Sequence, residues 1–338
     1  MSSTSSVTPD HAATYLVRSA LTAPSLHNSQ PWRFVYRDRT LELYAEDARR
    51  PRRADPDGRE TLIGCGAALF NVRLAMRHLG FVPVVRTYPE SASPELIARI
   101  GWGAYAPPSA ETDRMYRAML VRHTYRGLFH HRRVPSVLAE ELCGQAQQEG
   151  SDLFAPCGYV ERRRLADLIR AAEEQQRADA GLSAELDDWT ALRGRPRLDG
   201  VPASAIVASP DAGIFPGRDF AGLARRGGPH PVAGWREPRT PGLVAVLNTQ
   251  RDGCRAWLRS GQALQRVLLY ASARGISAAF HTQPLEVPYL RQQVRELVTA
   301  GRYPQMILHL GYAGRLPPVP RRPVAEVLSQ GCRSGLCG

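Results

Sequence analysis

One stretch of this chain brings turn formers, hydroxyls, amides and an aromatic ring together. Residues 23–32 read Ala-Pro-Ser-Leu-His-Asn-Ser-Gln-Pro-Trp. Pro24 and Pro31 fix their own φ and donate no N–H, so the stretch ends the helical run of residues 11–21. Its polar groups are then available to bind a flat ligand. The alternative is that Ser25 and Asn28 use these groups in turns with their own backbone, as such residues commonly do.

A second candidate site is the basic run Arg122-His123-Thr124-Tyr125-Arg126. A guanidinium group matches the oxygens of a phosphate with two parallel hydrogen bonds, and a hydroxyl adds one neutral donor. The run therefore suits a phosphate group. On composition alone, the alternative is a solvated basic patch that continues through residues 130–133, His-His-Arg-Arg.

Composition excludes several classes of function. The 338 residues, 43% of them hydrophobic, can bury the core of two ordinary domains. All 44 Lys/Arg positions are arginine, which excludes chemistry that needs a Schiff-base lysine or a phosphate-binding loop lysine. The net charge of +12 would by itself favour a nucleic-acid partner. However, the arginines are scattered and lack interleaved aromatics, so no nucleic-acid partner is expected.

The sequence also predicts where the protein works. No run approaches the roughly 20 apolar residues of a membrane span, and residues 1–10 lack the features of a signal peptide. Six cysteines are too few for a disulfide framework. Cys332 and Cys337 are interpreted as part of a frayed tail, although a redox pair or half a metal site is the alternative. No cluster has metal-ligand spacing, so no metal is expected. Together with the apolar runs and the cysteine count, this predicts a cytoplasmic protein without a membrane partner.

The first candidate site resembles a known motif. Residues 24–32 match the Pro-Ser-x-x-Asn-x-Gln-Pro-Trp motif of the FMN-dependent nitroreductase superfamily. There the loop lies against the flavin isoalloxazine ring, so the resemblance implies flavin contacts from Pro24, Ser25, Leu26 and Asn28. Gln30 and Trp32 match in supporting roles, whereas His27 falls at a variable position and inherits no role.

The resemblance extends to the other end of an FMN molecule. The superfamily holds the phosphate and ribityl chain with an Arg-x-Ser-x-Arg-like segment, which this chain matches with Thr for Ser. The implied contacts are Arg122, His123, Thr124 and Arg126. The run at 320–324, Pro-Arg-Arg-Pro-Val, resembles basic residues that close over the same phosphate, with Arg321 or Arg322 in that role. A third segment falls where the family's loop passes the flavin ring edge: Thr282, Gln283 and Pro284.

The chain also contains an internal repeat. A shift of 195 positions aligns residues 66–89 with 261–284 without a gap, pairing Gly66 with Gly261 and Gly80 with Gly275. Each copy predicts a long helix closed by a glycine and followed by a strand, at residues 81–86 and 276–281. Two copies of one unit indicate a duplication, although any two helix–glycine–strand units share some likeness.

The remaining pattern predicts the fold class. A hairpin is expected over residues 32–45 with its turn at Asp38-Arg39, and strands near 96–100, 243–247 and, last, 306–310. Helices are expected near 110–121, 135–149 and 160–180. Strands and helices alternate too irregularly for a doubly wound sheet, so we predict an α+β fold of mostly antiparallel sheets flanked by helices. The resemblance implies a nitroreductase-like fold, duplicated in one chain as a pseudo-dimer.

The two halves are predicted to differ. The first, residues 1–108, carries the flavin-ring loop, and the second, residues 109–338, carries the phosphate segment. The reciprocal site lacks its loop motif at residues 146–152 and its basic run at residues 1–18, so one FMN per chain is expected. Residues 200–242, punctuated by Gly and Pro, are predicted to form a lid, with a disordered insert as the alternative. This asymmetry resembles the Acg-type branch of the superfamily.

The resemblance implies an FMN-dependent oxidoreductase that passes electrons from NADH or NADPH to a nitro compound, a quinone or a similar small acceptor. The flavin carries such chemistry, so no catalytic acid, base or nucleophile is predicted in the chain. The alternative is a protein that binds and sequesters flavin with little turnover. A chain that holds both halves is expected to be a monomer or a weak homodimer.

Overall fold

The computed structural model describes residues 11–156, 158–190, 197–206, 215, 218–220, 242–314 and 318–331. Most of the predicted lid at 200–242, and both Cys332 and Cys337, lie outside these residues. None of the described helices is long and apolar enough to cross a membrane. Within the same ranges, no group of three or more His, Cys, Asp or Glu side chains could hold a metal ion.

The first sheet has the strand order β3-β4-β2-β1-β9. The predicted hairpin is confirmed: β1 (Trp32–Arg37) pairs antiparallel with β2 (Thr40–Ala45), and Asp38 and Arg39 in its turn have φ of 47° and 60°. Two positive φ values in a two-residue loop match the twist of the flanking strands. β3 (Phe81–Thr87) and β4 (Leu96–Tyr105) extend the sheet by antiparallel pairing.

The chain returns to this sheet at its far end, where β9 (Leu328–Gln330) pairs in parallel with β1. The strand predicted at 306–310 is present, within Tyr303–Gly311, but it is not the last strand of the chain, so that part of the prediction was wrong. A strand of three residues has too short an alternation to be recognised, and this one is defined by the open edge of β1.

The second sheet has the order β5-β6-β8-β7, with antiparallel pairing throughout. Its strands are β5 (Asp152–Phe154), β6 (Leu243–Thr249), β7 (Ser277–Phe280) and β8 (Tyr303–Gly311). β6 and β8 are buried along almost their whole length. Mostly antiparallel sheets with flanking helices confirm the predicted α+β class.

The helices pack between and around the two sheets. Their bounds are α1 His11–Ala20, α2 Arg59–His78, α3 Ala110–Met119, α4 Ser136–Gln148, α5 Tyr159–Ala178, α6 Ala180–Asp188, α7 Cys254–Ser272, α8 Pro288–Leu297 and α9 Val324–Val327. Short 3-10 turns lie at Leu26–Asn28, Asp47–Arg49, Ala203–Ala205 and Gln283–Leu285. The sequence analysis did not identify α6 or α8.

The two helices of the repeat, α2 and α7, pack against each other at the centre of the molecule. Both contribute side chains to the apolar core of each sheet, and α2 is buried on nearly every face for that reason. Gly80 and Gly275 follow them at φ of 85° and 75°, as predicted for glycines that close a helix. The repeat thus supplies the central layer that positions the surrounding loops.

Candidate functional site

The loop between Pro24 and Pro31 has an unusual backbone. His27, Asn28 and Gln30 have φ of 50°, 57° and 51°, in the left-handed region that residues other than glycine seldom enter. The Ser25 hydroxyl accepts a hydrogen bond of 2.9 Å from the Gln30 N–H. Ser25 thus makes the local turn bond that the sequence left open as an alternative. Several left-handed residues this close together must be held by their surroundings.

Asn28 is held by two distant segments of the chain. Its Nδ2 donates to the Gly200 carbonyl at 2.9 Å and to the Pro320 carbonyl at 3.1 Å. Its Oδ1 accepts from Nη1 of Arg321. The Gly200 N–H also donates to the Asn28 carbonyl at 3.3 Å. The buried Asn28 amide therefore joins the loop to a segment 172 residues away and another 292 residues away.

Arg321 and Arg322 have different surroundings. Arg322 is buried, pairs with Glu46 at 2.8 Å, and also donates to the backbone carbonyls of Gln30 and Trp32. Its charge is therefore compensated inside the protein. Arg321 instead has no carboxylate partner among the described residues, and it lies close enough to Arg122 and Arg126 for its charge to lower their pKa.

Arg122, Arg126 and Arg321 form a cluster of guanidinium groups, here named the arginine cluster. Burial, with Arg321 and Arg126 nearby, lowers the pKa of Arg122 to about 9. Burial and Arg321 lower the pKa of Arg126 to about 10, and burial lowers the pKa of Arg321 to about 10. All three remain charged at neutral pH. None is paired with a carboxylate in the part of the chain that the structure describes.

The arginine cluster contains buried donors without acceptors. Nε and Nη1 of Arg122, Nη1 of Arg126 and Nδ1 of His123 are buried and have no hydrogen-bond partner among the described atoms. Burial, Arg122 and Arg321 lower the pKa of His123 to about 4, so this imidazole is neutral at pH 7. Orphaned buried donors are rare in folded proteins and call for a partner. An anion with several oxygens fits them.

Thr124 connects the arginine cluster to the second sheet. It forms a parallel bridge with Ala278, and the next N–H, that of Tyr125, donates to the Ala278 carbonyl at 2.7 Å. β7 then runs from Ala278 toward Thr282. The backbone thus links the predicted phosphate segment to the predicted ring-edge segment.

The side chains of the ring-edge segment are engaged by acidic residues. Gln283 donates to Glu173 at 3.2 Å, and the Thr282 hydroxyl donates to Glu286 at 3.2 Å. Arg218 pairs with the same Glu286. No described hydrogen bond joins residues 282–284 to the arginine cluster. Only backbone groups and the buried Pro284 are left in this segment for contact with a ligand.

His27 lies between these two regions. Burial, Arg218 and Arg126 hold its pKa well below the ordinary value, so the imidazole is neutral. Phe220 packs edge-on against the His27 ring at 5.9 Å and lies 5.4 Å from the guanidinium carbon of Arg126. A pocket beside His27 is lined by Glu173, Gln176, Arg177, Arg218 and Asp219. The position that inherited no role from the motif therefore borders both regions.

Several residues of the site were missed by the sequence analysis. Gly200 and Pro320 act through backbone carbonyls, which no residue type reveals. Arg49 donates to the Ser29 carbonyl at 2.7 Å and pairs with Asp199, but it resembles the neighbouring arginines of the sequence. Such partners are defined by the tertiary fold and leave no local pattern.

The chain is similar to known proteins over most of its length. No family model matches it. It is 33% identical over 322 residues to "Putative NAD(P)H nitroreductase Rv3131" from Mycobacterium tuberculosis, covering 92% of this chain and 90% of that protein. It is 31% identical over 317 residues to "Putative NAD(P)H nitroreductase acg" from the same organism, covering 92% and 93%. Among solved structures it is similar to the FMN-dependent nitroreductase NfnB from Mycobacterium smegmatis in complex with NADPH, with a TM-score of 0.39 and 18% identity over 63% of this chain and 96% of that one.

Proposed function

Because the chain belongs to the nitroreductase superfamily, in the group that includes Acg, we propose that it is an FMN-dependent oxidoreductase. It passes electrons from NADH or NADPH to a nitro compound, a quinone or a similar small acceptor. The names of the two mycobacterial relatives support the nicotinamide donor. The ring-loop and phosphate motifs support FMN.

The arginine cluster is the observation that carries this proposal. Arg122 is buried and Arg126 and Arg321 are partly buried, and no carboxylate of the described residues pairs with any of the three. Their guanidinium groups repel one another, and burying unpaired charge is costly. A phosphate monoester carries about −1.5 to −2 charges at pH 7 and three strong acceptor oxygens. It would offset the charge and occupy the orphaned donors of Arg122, Arg126 and His123.

Different residues are proposed to contact the phosphate and the ring of FMN. Arg122, Arg126 and Arg321 hold the phosphate, with His123 and Thr124 beside them. The backbone of Pro24, Ser25 and Leu26 faces the ring, and the turn at 282–284 borders its edge. Arg322 is left out of the phosphate site because Glu46 already compensates it. A bound flavin supplies the hydride chemistry, while the protein binds it, orients it and excludes water.

The repeat supports one flavin per chain. In its register Arg259 corresponds to Gly64. A Cβ built on Gly64 would lie 3.4 Å from the Ser25 Cβ, so glycine leaves the loop room there. In the other half the Arg259 side chain lies against Gly150, where a built Cβ would be 2.9 Å from its Cδ. A large side chain thus takes the space that the reciprocal site would need.

Anaerobic reduction tests the proposal. The purified protein, loaded with FMN, should lose its yellow absorbance within seconds of mixing with NADH or NADPH. Reduction by dithionite but by neither nicotinamide would instead support the flavin-sequestering alternative. Absence of any bound flavin would contradict both.

A further inference from the structure

The Asn28 side chain connects the ring loop to the arginine cluster. We propose that Asn28 is a positioning residue that holds Arg321 in the phosphate site, in place of the ring contact that the family motif implies. This inference rests on the proposed function and adds that Asn28 acts on only one end of the ligand. Asn28 would control affinity for the phosphate end of the ligand and have little effect on affinity for the ring.

The hydrogen-bonding capacity of the amide supports this role. A side-chain amide has two N–H donors and one oxygen with two lone pairs. Both donors of Asn28 are used, at 2.9 and 3.1 Å from the carbonyls of Gly200 and Pro320. One lone pair accepts from Arg321. The residue is 5% exposed, so little of it remains for a ligand.

Arg321 is held at two points. Its Nη1 donates to Asn28 Oδ1 and, at 3.3 Å, to the carbonyl of Pro320. That same carbonyl accepts from Asn28 Nδ2. Asn28 therefore fixes both the guanidinium and the peptide that precedes it, and Nε and Nη2 of Arg321 make no hydrogen bond within the described part of the chain.

The chemistry of asparagine suits this position. Repulsion from Arg122 and Arg126 favours an Arg321 side chain that swings away from the cluster. A neutral acceptor holds it in place without cancelling its charge, whereas a carboxylate would compensate the charge that the phosphate needs. Asn also tolerates the left-handed φ of 57° better than most residues.

The test compares FMN with riboflavin, which lacks the phosphate, by fluorescence titration of the flavin-free full-length protein. Asn28→Gly removes the side chain and keeps the positive φ accessible. We expect FMN affinity to fall roughly tenfold to a hundredfold, as for loss of a charge-assisted hydrogen bond. Riboflavin affinity should change by less than about threefold, which corresponds to less than about 0.7 kcal/mol of binding free energy.

Two further variants make the test specific. Arg321→Gln should lower FMN affinity similarly, and the double variant Asn28→Gly/Arg321→Gln should bind no more weakly than Arg321→Gln alone. Asn28→Asp, which keeps the size of the side chain, should also lose FMN affinity selectively. Arg52→Gln, at an exposed arginine that pairs with Asp47, serves as the matched control and should leave both affinities unchanged.

Other outcomes overturn the inference. Equal loss of FMN and riboflavin affinity in Asn28→Gly would show a ring contact, and fully additive effects in the double variant would show independent roles. If the wild-type protein bound no flavin, the proposed function would fail instead. In that case protection by inorganic phosphate against thermal unfolding still decides whether Asn28 supports an anion site, because Asn28→Gly and Asn28→Asp should both abolish it.

Discussion

Gly66 and Gly261 lie back to back where α2 crosses α7. A Cβ built on Gly66 would be 2.1 Å from the Leu258 carbonyl, and one built on Gly261 would be 2.0 Å from the Ile63 carbonyl. Leu258 and Ile63 are themselves 195 positions apart, like the two glycines. The contact is therefore reciprocal, as at the interface of a two-fold dimer. The two copies of the repeat meet through equivalent residues.

This contact predicts a strong effect of a single methyl group. Gly66→Ala should lower the free energy of unfolding by at least about 2 kcal/mol, because two backbones must separate to admit the Cβ. Gly144→Ala, inside α4, is the control. A Cβ there meets nothing within 4 Å, so alanine should add about 0.5–1 kcal/mol. Urea unfolding of both variants measures this, and equal stability of Gly66→Ala and wild type would refute the close packing.

Substitution of Arg321 and substitution of Arg322 should have different effects on the stability of the flavin-free protein. Arg322→Gln leaves Glu46 without its partner, and we expect a loss of about 2–4 kcal/mol. Arg321→Gln removes one of three positive charges that no described carboxylate compensates, so stability should stay the same or increase. Thermal unfolding without flavin or phosphate checks this. A comparable loss in both variants would contradict the difference between the two arginines.

The arginine cluster should bind inorganic phosphate. Any ligand that binds only the folded state stabilises it in proportion to the logarithm of its concentration. Phosphate should therefore raise the melting temperature of the flavin-free protein above that in chloride at equal ionic strength. Arg122→Gln should abolish the increase, whereas Arg52→Gln should retain it. An increase that persists in Arg122→Gln would place the anion elsewhere.

Glu60 should make stability depend on pH. Burial, with Glu286 and Asp55 nearby, raises its pKa to about 7 from an ordinary 4.5, although Arg59 opposes the shift. The folded state then holds a proton that the unfolded state has lost between these values. Its contribution to stability is full below the lower value and disappears as pH rises through the upper one. The advantage of wild type over Glu60→Gln should therefore shrink from about pH 5 to about pH 8.

Glu42 provides the control for this pH dependence. Burial favours a higher pKa, but hydrogen bonds from Arg99 and Tyr44 hold the pKa of Glu42 below its ordinary value. Its titration therefore lies outside this interval. The difference between wild type and Glu42→Gln should stay constant from about pH 5 to about pH 8. A constant difference for Glu60→Gln as well would contradict the raised pKa.

Much of the fold could be predicted from local pattern. The hairpin turn at Asp38-Arg39 and the glycines that close α2 and α7 are governed by backbone conformation, which residue type reveals. The repeat register identified the two glycines that meet at the centre. Conversely, β9 depends on an open strand edge, and no pattern within three residues could reveal it.

For the candidate site, the sequence could predict the types of residue involved but not how they pair. Sequence indicated that arginine would meet phosphate, but the choice between Arg321 and Arg322 depends on Glu46, which lies 276 residues from Arg322. The role proposed for Asn28 depends on carbonyl groups of Gly200 and Pro320. Long-range pairing of this kind is a property of the assembled fold.

Calorimetric titration of the flavin-free protein with FMN tests the central claim most directly. We predict saturation at one FMN per chain and, in Arg126→Gln, at least roughly tenfold weaker binding with an unchanged circular dichroism spectrum. A protein that takes up no FMN, or one that binds two molecules per chain, would contradict the account.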